Sequence, residues 1–246
     1  MKRLVVIVLL GACAAGARAQ DQASAGSEAA ESALTRLEER VVAAPDDIRA
    51  ANDYRMAIMA AAGDRSTRLY DRAIAFFEKL VTDHPTAANA HLNFGFAYVD
   101  KIPAAGTITQ VILANNALGA FSRSLDLRPT WIGYYTRGNS YLFWPRIFGR
   151  TKYGIADLSE AVKVQRAEPK RDYHARTFIA LGDGYWKMDD LEQAVATWKE
   201  GLAEFPDNAV LKARLSRQGD ELKALIDSSY DPAKRVDTSL QDLWTN

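Results

Sequence analysis

The chain has 246 residues, with 31 Lys and Arg balanced by 31 Asp and Glu, three His and a single Cys. A formal net charge of zero gives no bulk attraction to nucleic acid. One cysteine excludes a disulfide framework and a cysteine-ligated metal site, so stability must come from packing.

The chain begins Met1-Lys2-Arg3, continues through an apolar run from Leu4 to Ala12, and reaches Ala17-Arg18-Ala19. A basic start, a short apolar core and a small-x-small site are the pattern of a secretory signal, residues 1–19, with cleavage expected after Ala19. The apolar run is too short to span a bilayer, and no later segment is long and apolar enough to do so. Leu10-Gly11-Ala12-Cys13 supplies an alternative, since it resembles a bacterial lipobox with Cys13 as a lipidated first residue. The first reading places the protein in the periplasm or outside the cell; the second anchors it to a membrane through Cys13. Residues 20–31 are small and polar and read as a disordered linker.

Helical signals fill residues 32–226. A first helix is expected from Ser32 to Ala44, and Asp46-Asp47 starts a second that reaches Ala62, before a break at Gly63-Asp64. A pattern then recurs. Ala73, Phe77, Leu80 and Pro85 are spaced like Ala117, Phe121, Ser124 and Pro129, and again like Ala194, Trp198, Gly201 and Pro206. A weaker copy runs through Ala156, Glu160 and Ala161 to Pro169, and a worn one through Ala33, Leu37 and Pro45. Between these stand Phe94-Gly95 with Tyr98, Arg137-Gly138 with Tyr141, and Leu181-Gly182 with Tyr185. Small residues suit close helix crossings, aromatic residues fill the remaining gaps, and Pro ends a helix because it lacks the N–H and clashes with the preceding turn.

The stretch from Phe178 to Pro206, with Leu181-Gly182, Tyr185, Ala194 and Trp198, resembles one complete tetratricopeptide (TPR) repeat, a helix-turn-helix unit of about 34 residues. The upstream copies extend the resemblance. It implies an all-α fold, a right-handed α-solenoid of about four to five repeats in which each unit buries its apolar face on its neighbours. Asp207-Asn208 can cap a final polar helix from Ala209 to Ile226, which closes the solenoid. Gly219 inside it costs about 1 kcal/mol against Ala and marks a kink or split. The tail, residues 227–246, is expected to be extended, with Trp244 docked on a neighbouring helix.

Two central repeats are too long. Tyr185 and Ala194 are nine residues apart, whereas Tyr98 and Ala117 are nineteen apart and Tyr141 and Ala156 fifteen. The extra segments, near 99–116 and 142–155, fall between the first and second helix of their repeats and so project from one edge. Pro103 and Pro145 stop the preceding helices, and Thr107 with Gln110 has capping-box spacing for the helix that follows the first insertion. The first insertion is apolar, with Ile102, Ile108, Val111, Ile112 and Leu113. The second mixes Phe143, Trp144, Ile147, Phe148 and Tyr153 with Arg146, Arg150 and Lys152. Aromatic and Arg residues concentrate binding energy, so Phe143, Trp144, Arg146 and Phe148 are candidate partner contacts. Mutual packing of the two insertions is the other reading of the same residues.

The resemblance further implies that first helices line a concave groove that holds a peptide or a partner helix. The corresponding positions here are Asn89, Leu92 and Phe96, then Tyr135, Asn139 and Leu142, then Arg176, Ile179, Asp183 and Trp186. Asn139 can donate to and accept from a ligand backbone at once. Phe96 and Asp183 stand where the family's carboxylate clamp wants polar or basic groups, so binding of chaperone tails is not expected.

His84, His91 and His174 share no metal spacing, no strand precedes a glycine-rich phosphate loop, and no nucleophile-base pattern stands out. No catalytic residue, cofactor or metal is expected. The sequence thus reads as an exported, non-catalytic scaffold that binds a partner protein or peptide through the groove and the inserted aromatic edge. The alternatives are a Cys13-anchored lipoprotein serving envelope assembly and, with less support, a small-ligand binder or enzyme.

Overall fold

The computed structural model describes residues 28–62, 67–231 and 234–244. The signal-like segment, Cys13 and the break at Gly63-Asp64 lie outside the described residues. Helix α1 covers residues 28–43. Its first residues, 28–31, have the small, polar composition of the linker, but they are helical, and the Arg72 guanidinium donates to Glu31 at 2.5 Å. The chain continues through α2 (Ile48–Ala62), α3 (Thr67–Asp83), α4 (Ala88–Lys101), α5 (Thr107–Leu127), α6 (Trp131–Leu142), α7 (Thr151–Arg166), α8 (Ala175–Lys187) and α9 (Leu191–Glu204). Two short helices close it, α10 (Ala209–Leu215) and α11 (Gly219–Ser229). Among the described residues there is no strand.

Consecutive helices pack as antiparallel pairs, α2 with α3, α4 with α5, α6 with α7 and α8 with α9, and each pair stacks on the next. This is the expected all-α solenoid. The small positions do what close crossing requires. A Cβ added to Gly95 would stand 2.3 Å from the Phe121 ring, one on Gly138 would stand 2.9 Å from Leu158, and one on Gly182 would stand 2.2 Å from the Trp198 indole. In the last three pairs, a first-helix glycine receives a large apolar side chain of the second helix.

The core is divided. One cluster joins α1 to α4 around Tyr54, Tyr70 and Phe77, and another joins α6 to α11 around Phe178, Trp198 and Leu211. Between them lies a small cluster of Leu92, Phe96, Ala117 and Phe121. Helices α2 and α4 stack side by side, as do α6 and α8, but α4 and α6 hardly touch. The solenoid opens at its middle, where the insertions occur.

The first insertion is mostly helix. A 3-10 turn, Ile102–Ala104, leads into α5, which is extended to 21 residues. The capping box expected of Thr107 and Gln110 does not form. Gly106 is the N-cap, and the Gln110 amide turns back to donate to the Ile102 and Ala105 carbonyls at 3.2 and 3.0 Å. The second insertion is a 3-10 turn at Arg146–Phe148, ended by Gly149 at φ 61°. At the far end, the single final helix expected from the sequence splits into α10 and α11 at Gly219, whose φ of 52° is left-handed.

Gly182→Ala is expected to lower stability by about 1–3 kcal/mol through overpacking against Trp198. Gly119→Ala, in exposed helix with nothing within 4 Å of the new methyl, is expected to raise it by up to about 1 kcal/mol. Urea unfolding midpoints of the two variants check this pair.

Candidate functional site

The site is built outward from Arg55 on α2, a charged side chain only 1% exposed. Its Nη1 donates to Asp100 Oδ2 at 2.7 Å, its Nε to Asn93 Oδ1 at 2.9 Å, and its Nη2 to Asn52 Oδ1 at 3.1 Å and to the Thr238 carbonyl at 2.7 Å. The guanidinium also lies 4.7 Å from the centre of the Phe96 ring. Burial pulls the Arg55 pKa down and the Asp100 carboxylate opposes it. Arg keeps its charge in proteins, so these acceptors compensate a cation removed from water. Three of them belong to α2 and α4; the fourth belongs to the C-terminal tail.

The tail is extended, as expected, but it does more than rest on one helix. Residues 234–244 cross the first helix of every pair. Arg235 donates to the Asp100 carbonyl at 3.3 Å and to the Tyr70 hydroxyl at 3.1 Å. The Thr238 hydroxyl donates to Asp100 Oδ1 at 2.5 Å, and Thr238 is buried. Leu240 packs with Ile132 of α6 onto the Leu92–Phe121 cluster. It holds φ at 54°, a left-handed conformation that costs a branched residue about 1–2 kcal/mol and that this packing must offset. Asp242 pairs with Arg176 of α8. Trp244 stands 5.8 Å from the Arg49 guanidinium on α2, which fulfils its expected docking.

A cavity of about 420 Å³ remains between the tail, α4, α5, α6 and the second insertion. Of the groove and edge positions read from the sequence, Phe96, Tyr135, Asn139, Arg176, Phe143, Trp144 and Phe148 line it. Burial raises the Tyr135 phenol pKa, and the Arg176 cation opposes that.

The remaining candidates lie elsewhere. Leu92 is core. The Asn89 amides both bond Asp46, at 2.7 and 2.8 Å, and tie the start of α4 to the turn before α2. Asp183 has the register of a groove wall but is fully buried. It accepts two bonds from Arg214, at 2.6 and 2.7 Å, and one from the Tyr230 hydroxyl at 3.2 Å, because α10 and α11 fold over that end of α8. Burial raises the Asp183 carboxyl pKa and Arg214 opposes it. Trp186 is half-buried beneath Arg146, 5.6 Å from its guanidinium, and Arg146 itself pairs with Asp189 at 2.7 Å.

The inserted edge is also sorted by the fold. Trp144 turns inward to 9% exposure under Arg150, 3.7 Å from its guanidinium, and Phe143 packs on Tyr230 at 5.2 Å. Arg150 donates to Asn115 at 2.9 Å and joins the two insertions. Ile147 and Ile108 remain 87% and 81% exposed, and Phe148, Val111, Ile112 and Tyr153 are exposed with them. Sequence reasoning missed the pairing of Arg55 with Asp100 and the role of Thr238. The one signal available to it is an Arg set between Tyr54 and Ile58 on an otherwise apolar helix face.

Among the described residues, no group of His, Cys, Asp and Glu could hold a metal, and no helix is long and apolar enough to cross a membrane.

The arrangement of helix pairs defines a TPR-like α-solenoid. No protein-family model matches the chain. Among solved structures, it is similar to a thermophilic TPR protein of Thermus thermophilus, at 20% identity and a TM-score of 0.53, over 81% of this chain and 94% of that one. It is also similar to MamA protein, at 16% identity and a TM-score of 0.49, over 80% and 91% of the two chains.

Arg55→Met leaves Asp100 buried without its cation and is expected to cost about 3–5 kcal/mol. Arg55→Met with Asp100→Leu should recover part of that loss in the same urea titration. Acidification provides a second test. His174 is buried beside Trp131, and burial and the Arg171 charge hold its pKa below 6.5; burial does the same to His91. The unfolded chain therefore takes up protons near pH 6.5 that the folded chain refuses, so stability present above that pH falls as pH drops through it. His174→Gln should show a smaller loss between about pH 7.5 and 5 than the parent protein.

Proposed function

We propose that the protein is a non-catalytic interaction scaffold that holds a partner protein or peptide through its first-helix groove and its inserted edge. The observation that carries this reading is the exposed apolar edge. Ile108, Val111, Ile112, Ile147, Phe148 and Tyr153 are all exposed on the two insertions, and exposed apolar residues gathered in this way mark a contact site. A TPR-like solenoid supplies the frame for it. Contact with a membrane surface is less well supported, because Arg146 is engaged by Asp189 and Arg150 by Asn115 and Trp144.

The leader-like residues 1–19 support export to the periplasm or cell envelope. Leu10-Gly11-Ala12-Cys13 supports a second reading, a lipid-anchored envelope-assembly subunit. Mass spectrometry of the mature N-terminus separates them: Gln20 as first residue supports the soluble form and acylated Cys13 the anchored one.

For the edge, Ile147→Ser with Ile108→Ser should leave stability within about 0.5 kcal/mol, since these side chains are 87% and 81% exposed. Recovery of cross-linked partners from native envelope should fall at least about fivefold. Equal recovery by the variant and the parent protein would reject the edge as the contact surface.

A further inference from the structure

We propose that residues 234–244 are a built-in occupant of the groove, and that the seat they fill takes an extended segment of a partner protein with the same chemistry, Arg-x-x-Thr/Ser-x-Leu, which must displace the tail to bind. The inference rests on the groove half of the proposed function. Three observations carry it.

First, the seat is built by the helices and not by the tail. Three of the four acceptors around Arg55, Asp100, Asn93 and Asn52, belong to α2 and α4, and the Leu92–Phe121 cluster that receives Leu240 comes from α4 and α5. Second, the tail is held by side chains and by single backbone atoms, not by a ladder or a packed helix. Arg235 is read by the Asp100 carbonyl and the Tyr70 hydroxyl, Thr238 by Arg55 and Asp100, and Leu240 by the apolar cluster. The Asp242–Arg176 pair beyond them is about half exposed on each side, so it adds little and is screened by salt. Third, the tail under-fills the groove. The 420 Å³ cavity lies beside Val236 and Leu240, so a segment with a larger apolar residue at the Val236 position can bury surface that the tail leaves open. A tethered occupant that binds well enough to cover the seat, yet worse than a better-filling rival, reduces the rival's apparent affinity by the fraction of time it is docked.

The test uses the full chain and a dye-labelled peptide of residues 230–246, read by fluorescence anisotropy. The peptide should bind the full-length T238V/L240S variant at least about tenfold tighter than the parent chain, because the competitor in cis is gone. A peptide carrying V236F should bind that variant tighter still, and one carrying T238V and L240S should not bind. Equal affinity for variant and parent, or no binding to a variant that circular dichroism shows to be folded, overturns the proposal. If the variant does not fold, amide hydrogen exchange of the parent chain decides. Tail amides that exchange well ahead of those of α4 support a displaceable occupant, and tail amides that exchange only with global unfolding refute it. A parent chain that runs as a dimer with tail cross-links between protomers also refutes it, since the occupant is then a second copy. None of these measurements involves Ile147 or Ile108, so the occupant can fail while the edge, and with it the scaffold reading, survives.

Discussion

A cation with no access to water organises the middle of this molecule. Arg55 has lost its hydration, and a buried charge persists only if protein groups replace that hydration with good geometry. The replacement fixes the relation of three chain segments. Asn52 holds the guanidinium on its own helix, Asn93 and Asp100 bind α4 to α2, and the Thr238 carbonyl brings the last residues of the chain back across the solenoid. Hydrophobic packing alone would allow α2 and α4 to slide past one another. Directed bonds around one planar cation do not.

The same interaction draws the tail across the opening in the middle of the solenoid. In a regular array each first helix lies against the next, and every repeat leans on its neighbours. Here that contact is weak between α4 and α6, and the two large apolar clusters stand on either side of the gap. Leu240 and Ile132 share the small cluster between them, Asp242 reaches α8, and Tyr230 is locked to Asp183 at the other end. The tail therefore lies across both half-solenoids, from Tyr230 at the Asp183–Arg214 pair to Arg55, while α5 packed on α6 joins the halves themselves. The cavity beside it is the space that the missing α4–α6 contact leaves and that the tail does not fill.

The insertions belong to the same design. Extra residues in α5 and in the turn before α7 occur at the two repeats that flank the gap. Their inward side chains, Trp144 among them, wall the cavity, while Ile147 and Ile108 face solvent. The insertions meet through Arg150 and Asn115, and they also leave apolar side chains in solvent.

The sequence by itself determined the paired helices of the repeats and where each second helix stops. Gly95, Gly138 and Gly182 each face a large side chain of the following helix, and Pro85, Pro129, Pro169 and Pro206 each follow a second helix, because steric rules of crossing and termination act between residues close along the chain. The tertiary structure alone decided what occupies the groove. Asp183 and Leu92 have the register of groove positions yet are buried, since α10 and α11 cover one and the α4–α5 crossing covers the other. Thr238 and Arg55 are 183 residues apart, and neither carries a local pattern that announces the other. Spacing within a repeat is set by helix geometry, but the choice of partner for a buried charge is set by whichever distant segment can reach it and replace its water.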